Sequence, residues 1–152
     1  MRRVRKLLAV TLAAMLSLLV VAGPALAAAP QPVTITVYTD FNEASNAFEA
    51  TGGVICSSGT VSDTRPLGLF KGGQSDRQLQ ILIGKRFTCS DGTFDLLVHV
   101  SFDFATGVAT GTWSVQSGTD AYAGLRGHGT ITGTSQGDDA ILDVYTGAMS
   151  NR

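Results

Sequence analysis

Beyond its first residues the chain has little positive charge. Eleven Lys and Arg stand against twelve Asp and Glu, and four of the eleven, Arg2, Arg3, Arg5 and Lys6, crowd into the extreme N-terminus. Past residue 27, seven bases face all twelve acids, a formal charge of −5. No basic cluster remains to neutralise phosphates, so nucleic acid is not an expected partner. Histidine is equally scarce, with His99 and His128 the only two. That is too few, beside cysteines that read as a disulfide, for a tetrahedral zinc site, and no metal is expected. Neither G-x-x-x-x-G-K-[ST] nor G-x-G-x-x-G occurs. Without a glycine loop that enters a helix, nothing implies a nucleotide or any other cofactor. Nor does any apolar period of 3.6 residues last beyond two turns past residue 27, which argues against a helical fold.

Long apolar runs are confined to one place. Met1-Arg2-Arg3-Val4-Arg5-Lys6 precedes an uncharged stretch to Ala22, apolar but for Thr11 and Ser17, and then "GPALAAAP". This is the layout of a secretory signal, residues 1–27, with cleavage expected after Ala25-Leu26-Ala27. The apolar run is shorter than a membrane span, so no membrane association is expected once the signal is removed. Residues 28–152 then form a single secreted domain. Both cysteines, Cys56 and Cys89, fall in it at a separation of 33, unlike a C-x-x-C redox pair. An even count in an oxidising compartment predicts one disulfide.

What the domain does have is threonine, valine and aromatics in alternation, with glycine about every ten residues. That is the pattern of short strands and turns. In "CSDGTF", Asp91-Gly92 is a candidate two-residue hairpin tip. It would pair Cys89 with Phe94, Phe87 with Leu96, Ile83 with Val100 and Leu79 with Phe104, all apolar. A second tip at Thr106-Gly107 would pair Phe104 with Ala109, Val100 with Trp113 and Val98 with Val115. The apolar face stays in phase through both turns, which a one-residue slip would destroy, so a three-stranded antiparallel meander is predicted. Its other face, with Arg86, Asp95, His99, Ser101, Asp103, Thr110 and Thr112, is expected to meet water. Further strands are expected at Val33–Thr39, Phe48–Thr51, Gly59–Thr64, His128–Thr134 and Ala140–Thr146. About eight short strands with one apolar face predict an all-β barrel or sandwich, and a closed barrel leaves no exposed edge.

The segment "SGTDAYAGLRGHG", residues 117 to 129, carries a family resemblance. "GTDAYAGLRG" resembles the GTG-x-[FY]-x-x-x-x-G signature of allene oxide cyclase and dirigent barrels. It is more similar still to the GTGAYAGLRG segment of small secreted bacterial proteins of that group. Gly118, Thr119, Tyr122, Arg126 and Gly127 match, and Asp120 stands where the signature has its second glycine. "TGTWSV", "CSDGTF" and "GGVICSSGTVSDT" add to a likeness that runs from Phe48 to Tyr145. The resemblance implies an eight-stranded antiparallel, calycin-like barrel with a mostly apolar interior. It also implies, as an alternative function, a cyclase, isomerase or dirigent-like protein that shapes a reactive apolar intermediate with acidic and polar groups inside the barrel. The inward face of the three registered strands offers no such carboxylate.

Two residues are candidate catalytic groups. Lys85 interrupts the apolar face, opposite Val98 in the predicted register. A desolvated lysine there would act as nucleophile or base; alternatively Lys85 sits at a rim or on a bulge at Gly84, with its amine reaching water. Glu49 lies in a region of unfixed register. Trp113, Tyr122, Phe87 and Phe102 either line a ligand cavity or fill the core, since an eight-stranded barrel holds side chains or one small ligand. The first functional expectation is a secreted, non-enzymatic barrel that binds a small apolar molecule; a surface interaction module is the third.

Overall fold

A computed structural model describes residues 29–64, 68–74 and 77–152, with only the backbone described between 68 and 74. The expected signal, residues 1–27, lies outside the described residues. Nine strands run in chain order among them: β1 Gln31–Asp40, β2 Asn46–Thr51, β3 Ser58–Asp63, β4 Gly68–Gln74, β5 Gln78–Cys89, β6 Gly92–Asp103, β7 Val108–Gly118, β8 Arg126–Ser135 and β9 Ala140–Ser150. A single 3-10 turn, Asp120–Tyr122, interrupts them.

All pairings are antiparallel, in the order β3-β2-β1-β9-β8-β7-β6-β5-β4, and β3 also pairs with β5. That last pairing, from Thr60↔Thr88 to Asp63↔Lys85, closes an eight-stranded barrel. β4 continues along β5 where β3 leaves it, at Leu82 and Ile81. "GLFKGGQ" does not alternate, and its strand was not among those expected from the sequence.

Alternation decides which side of each strand faces inward. Along β1, Val33, Ile35, Val37 and Thr39 are buried while Thr36 and Tyr38 are exposed; along β6, Phe94, Leu96, Val98 and Val100 are buried. Each large apolar side chain taken from water in this way contributes about 1.5–3 kcal/mol.

The meander is present, with both hairpins shifted by two residues from the expected register. Cys89 faces Gly92, so the tip is Ser90-Asp91, and Phe87 pairs with Phe94. The positive φ needed there, 149°, falls on Gly92 rather than at the tip. At the second turn Asp103 faces Val108, leaving a four-residue tip. Asp103 Oδ1 accepts from the amides of Ala105 (2.8 Å) and Thr106 (3.2 Å), and this side-chain turn takes Phe104 out of the β6–β7 pairing while its amide still donates to the Arg77 carbonyl beside β5 (2.9 Å). A shift of two preserves which face is inward, so the buried set is the expected one except at the ends. Phe104 is the exception: it is exposed, not paired inside.

The barrel is filled at one end only. Phe48, Phe87, Phe94, Tyr122 and Tyr145 interlock there, Phe87 stacking on Phe94 at 4.9 Å and meeting Tyr145 edge-on at 6.0 Å. The Cys56–Cys89 disulfide ties the loop after β2 to the end of β5 at the same end. Closing that loop contributes roughly 3–4 kcal/mol in a chain-entropy account. Trp113 lies across the paired glycines Gly129 and Gly147, where a Cβ on either would come within 2.6 Å of its ring.

The "SGTDAYAGLRGHG" segment caps this filled end. Asp120 takes a left-handed φ of 51°, tolerable for aspartate. Tyr122 drops into the core against Phe94; its hydroxyl donates to Asp91 Oδ1 (2.7 Å) and accepts from the Cys56 amide (3.1 Å). Burial and the Asp91 carboxylate push its phenol up to about 12. The loop thus joins the first hairpin tip to the disulfide. His128, expected at the start of a strand, lies within β8, which begins two residues earlier at Arg126.

Candidate functional site

The opposite half of the barrel holds a cavity of about 510 Å³. Its size lies within the usual range for small-molecule sites. Ile81, Ile83, Val98, Val100, Phe102 and Ile131 supply apolar walls, contributed by β5, β6 and β8. These are the in-phase inward positions of the meander and its neighbour, left without a facing side chain because the aromatics that fill the lumen sit at the far end. Phe41 and Phe104, 63% and 52% exposed, stand at the mouth, one from the β1–β2 turn and one from the β6–β7 turn.

Below the apolar walls lies a polar floor built from four strands. Lys85 on β5 is buried and its Nζ lies 2.9 Å from Asp63 Oδ1 on β3, the two being register partners at the barrel's closing seam. Asp63 is the more accessible member, with a side chain 48% exposed. Asp143 on β9 is buried, 6% exposed, and accepts a hydrogen bond from the Thr39 hydroxyl on β1 at 3.3 Å. Gly133 on β8 makes room for it: a Cβ there would come within 2.5 Å of Asp143 Oδ1. Just below, the fully buried hydroxyl of Tyr145 has no hydrogen-bond partner among the described residues.

The electrostatics of this floor are uneven. Lys85 is held by Asp63, so the second carboxylate, Asp143, is left with a hydroxyl and a more distant ammonium. Burial pushes the Asp143 carboxyl up to about 6, against the opposing pull of Lys85 and Thr39. Burial and the neighbouring Asp143 and Asp63 charges raise the Tyr145 phenol well above its ordinary value. An ion pair with one buried member, flanked by a further buried carboxylate, is a poor device for stability, because desolvation offsets the attraction. Perturbed carboxyls in a cavity are, in contrast, common where a ligand is bound or a proton moved. Near neutrality Asp143 can accept a hydrogen bond or a proton as the carboxylate, and donate one as the acid.

The candidates read from the sequence part company here. Lys85 and Phe102 line the cavity. Phe87, Trp113 and Tyr122 lie in the packed end: Phe87 in the aromatic stack, Trp113 with its indole nitrogen donating to the Thr130 carbonyl at 3.0 Å. Glu49 is exposed on β2, beside the inward Phe48. Lys85 is neither at the rim nor on a bulge, since the β5–β6 register runs unbroken through Gly84↔Leu97, and its amine meets a carboxylate rather than water. The inward carboxylates, Asp63 and Asp143, were missed because they sit on β3 and β9, strands without a sequence-derived register. A signal for Asp143 was present: in "ILDVYTGAMS" it shares parity with Tyr145 and Met149, both fully buried.

On the outer face, His99 is exposed and Arg86 forms a two-toothed pair with Asp95 at 2.8 and 2.9 Å, as expected for a wetted surface. Among the described residues no group of three or more His, Cys, Asp or Glu side chains is arranged to hold a metal ion.

The fold and the cavity together define a closed antiparallel barrel with one packed and one hollow half. Compared with protein-family models, with curated proteins and with solved structures, the chain matches none.

Proposed function

We propose that this is a secreted barrel that binds a small, largely apolar molecule in its hollow half. The observation that carries the reading is the cavity itself: about 510 Å³, apolar along its walls, with the floor groups Lys85, Asp63, Asp143 and Thr39 at its base. A lumen meant only to be packed would be filled by its own side chains, as the other end is. Interiors are otherwise close-packed, and an unfilled apolar space forfeits contacts that a ligand restores. The disulfide and the expected N-terminal signal support an extracellular setting.

Native mass spectrometry of the protein purified from its own medium tests this. A bound small molecule that is lost when Val100→Trp fills the cavity supports the reading. A protein that is empty in repeated preparations, and takes up no apolar probe, contradicts it.

A second reading is favoured by one observation, the Asp143 carboxyl held near neutrality inside an apolar chamber. On this reading the barrel is a cyclase or isomerase of the kind that the Gly118–Gly127 resemblance suggests, with Asp143 exchanging a proton with the substrate and Lys85 placing charge beside it. Chemical conversion of a captured ligand, lost in Asp143→Asn with binding retained, would select this reading over a passive binder.

A further inference from the structure

The charge of the floor points to the class of ligand, an inference that rests on the binding reading above. We infer that the cavity takes a cationic amphiphile: an apolar body that fills the hollow half and one ammonium group set against Asp143. Among the described residues that line the cavity, three are acidic, Asp63, Asp138 and Asp143, and one is basic, Lys85. The single base is already matched by Asp63 at 2.9 Å. Among the described residues two carboxylates are left without a matched base, Asp138 and Asp143, and of these Asp143 is the buried one, at the base of an apolar chamber and touched on the β1 side by one hydroxyl.

Every element around Asp143 bears on that conclusion. β1 offers Val37 as its register partner and Thr39 as its hydrogen-bond donor; β8 offers Gly133, which has no side chain. β5 contributes Lys85, β3 contributes Asp63 and β9 itself contributes Tyr145, while Asp138 stands toward the mouth. The summed charge of Asp63, Asp143 and Lys85, with both acids ionised, is negative by one. A ligand carboxylate entering this floor would face that excess at short range in a poorly screened space, whereas an ammonium would cancel it and could donate several hydrogen bonds at once. A neutral alcohol would gain the apolar contact and a hydrogen bond, without the charge pairing. The negative charge of the whole domain acts in the same sense, drawing cations toward the mouth.

The ordering of three probes with one apolar tail tests the inference: octylamine, 1-octanol and octanoate, each titrated calorimetrically into the disulfide-bonded protein at pH 7.5. The expected order is amine tightest, alcohol next, acid weakest, with the amine ahead of the alcohol by about tenfold or more. The amine's affinity should fall by about tenfold between pH 7.5 and pH 5 as Asp143 takes up its proton, and the alcohol's should not. Asp143→Asn should remove most of the amine's advantage over the alcohol. Should that variant fail to fold, the pH series on the unaltered protein reads the same charge. Octanoate binding tightest, amine and alcohol binding alike, or an amine affinity constant from pH 8 to pH 5 would overturn this inference and leave the cavity reading standing. Failure of all three probes to bind would overturn both.

Discussion

Replacing Asp143 with asparagine should make the protein's stability respond to pH in a way that identifies the buried carboxyl. The group is raised from an ordinary 3.8 to about 6 in the folded protein, chiefly by desolvation. An acid whose pKa is higher folded than unfolded holds its proton more tightly in the native state. Its contribution to stability is therefore complete below pH of about 4 and is lost as pH rises through about 6. The shift corresponds to roughly 3 kcal/mol at full ionisation, of which about 2 kcal/mol is lost between pH 4.5 and pH 8. Asp143→Asn keeps the shape and removes the titration. Whatever its amide gains or loses in hydrogen bonding offsets the whole curve by a constant, so the informative quantity is the change in the gap. Urea denaturation of both proteins, followed by far-ultraviolet circular dichroism from pH 4.5 to pH 8, measures it. The variant should gain about 2 kcal/mol relative to the parent across that range. A gap that is flat, or that moves the other way, would refute the claim that Asp143 is buried without a matched cation.

Other parts of the structure make separate predictions. Tyr122→Phe keeps the ring against Phe94 but removes the hydroxyl shared by Asp91 and the Cys56 amide, and should cost about 1–3 kcal/mol in chemical denaturation. Tyr122→Ala should cost more, about 3–5 kcal/mol, and an unchanged melting temperature would contradict its role as an anchor. The double variant Cys56→Ala/Cys89→Ala should lose roughly 3–4 kcal/mol while keeping the barrel's circular dichroism. Gly129→Ala would put a Cβ 2.6 Å from Trp113 Cζ2 and closer still to the Thr146 carbonyl, and should destabilise by about 2 kcal/mol or more with a visible change in the emission of the sole tryptophan. Arg86→Met, by contrast, removes an exposed pair and should change stability by less than about 1 kcal/mol.

Much of the architecture was legible in the residues because strand facing depends on parity. The two hairpin tips were each displaced by two residues, one because glycine's positive φ was taken at the first position of β6, the other because the Asp103 side chain built its own turn. Neither shift changed which side chains point inward, so the barrel and its wetted face survived the error. The site was harder to read. Lys85 stood out as a charge on an apolar face, yet its meaning depended on Asp63, which reaches it only through the closing pairing of β3 with β5. Asp143 joins them from β9 across the lumen. Aromatic composition misled for a related reason: Phe87 and Trp113 share an inward strand face with the cavity walls, so that only their position along the barrel axis separates packing from lining, and Tyr122 enters the packed end from the 3-10 turn that caps it. Strand patterns report the face of a residue and not its height.

The most direct test of the account is a methyl-detected nuclear magnetic resonance titration of the disulfide-bonded protein with octylamine and with 1-octanol. Binding in the hollow half predicts saturable shifts at Ile81, Ile83, Val98, Val100 and Ile131, with Leu96 and Met149 at the packed end unmoved. No saturable shift at those five residues with either compound, or shifts confined to the outer face or the packed end, would contradict the claim that the open half of this barrel is a ligand site.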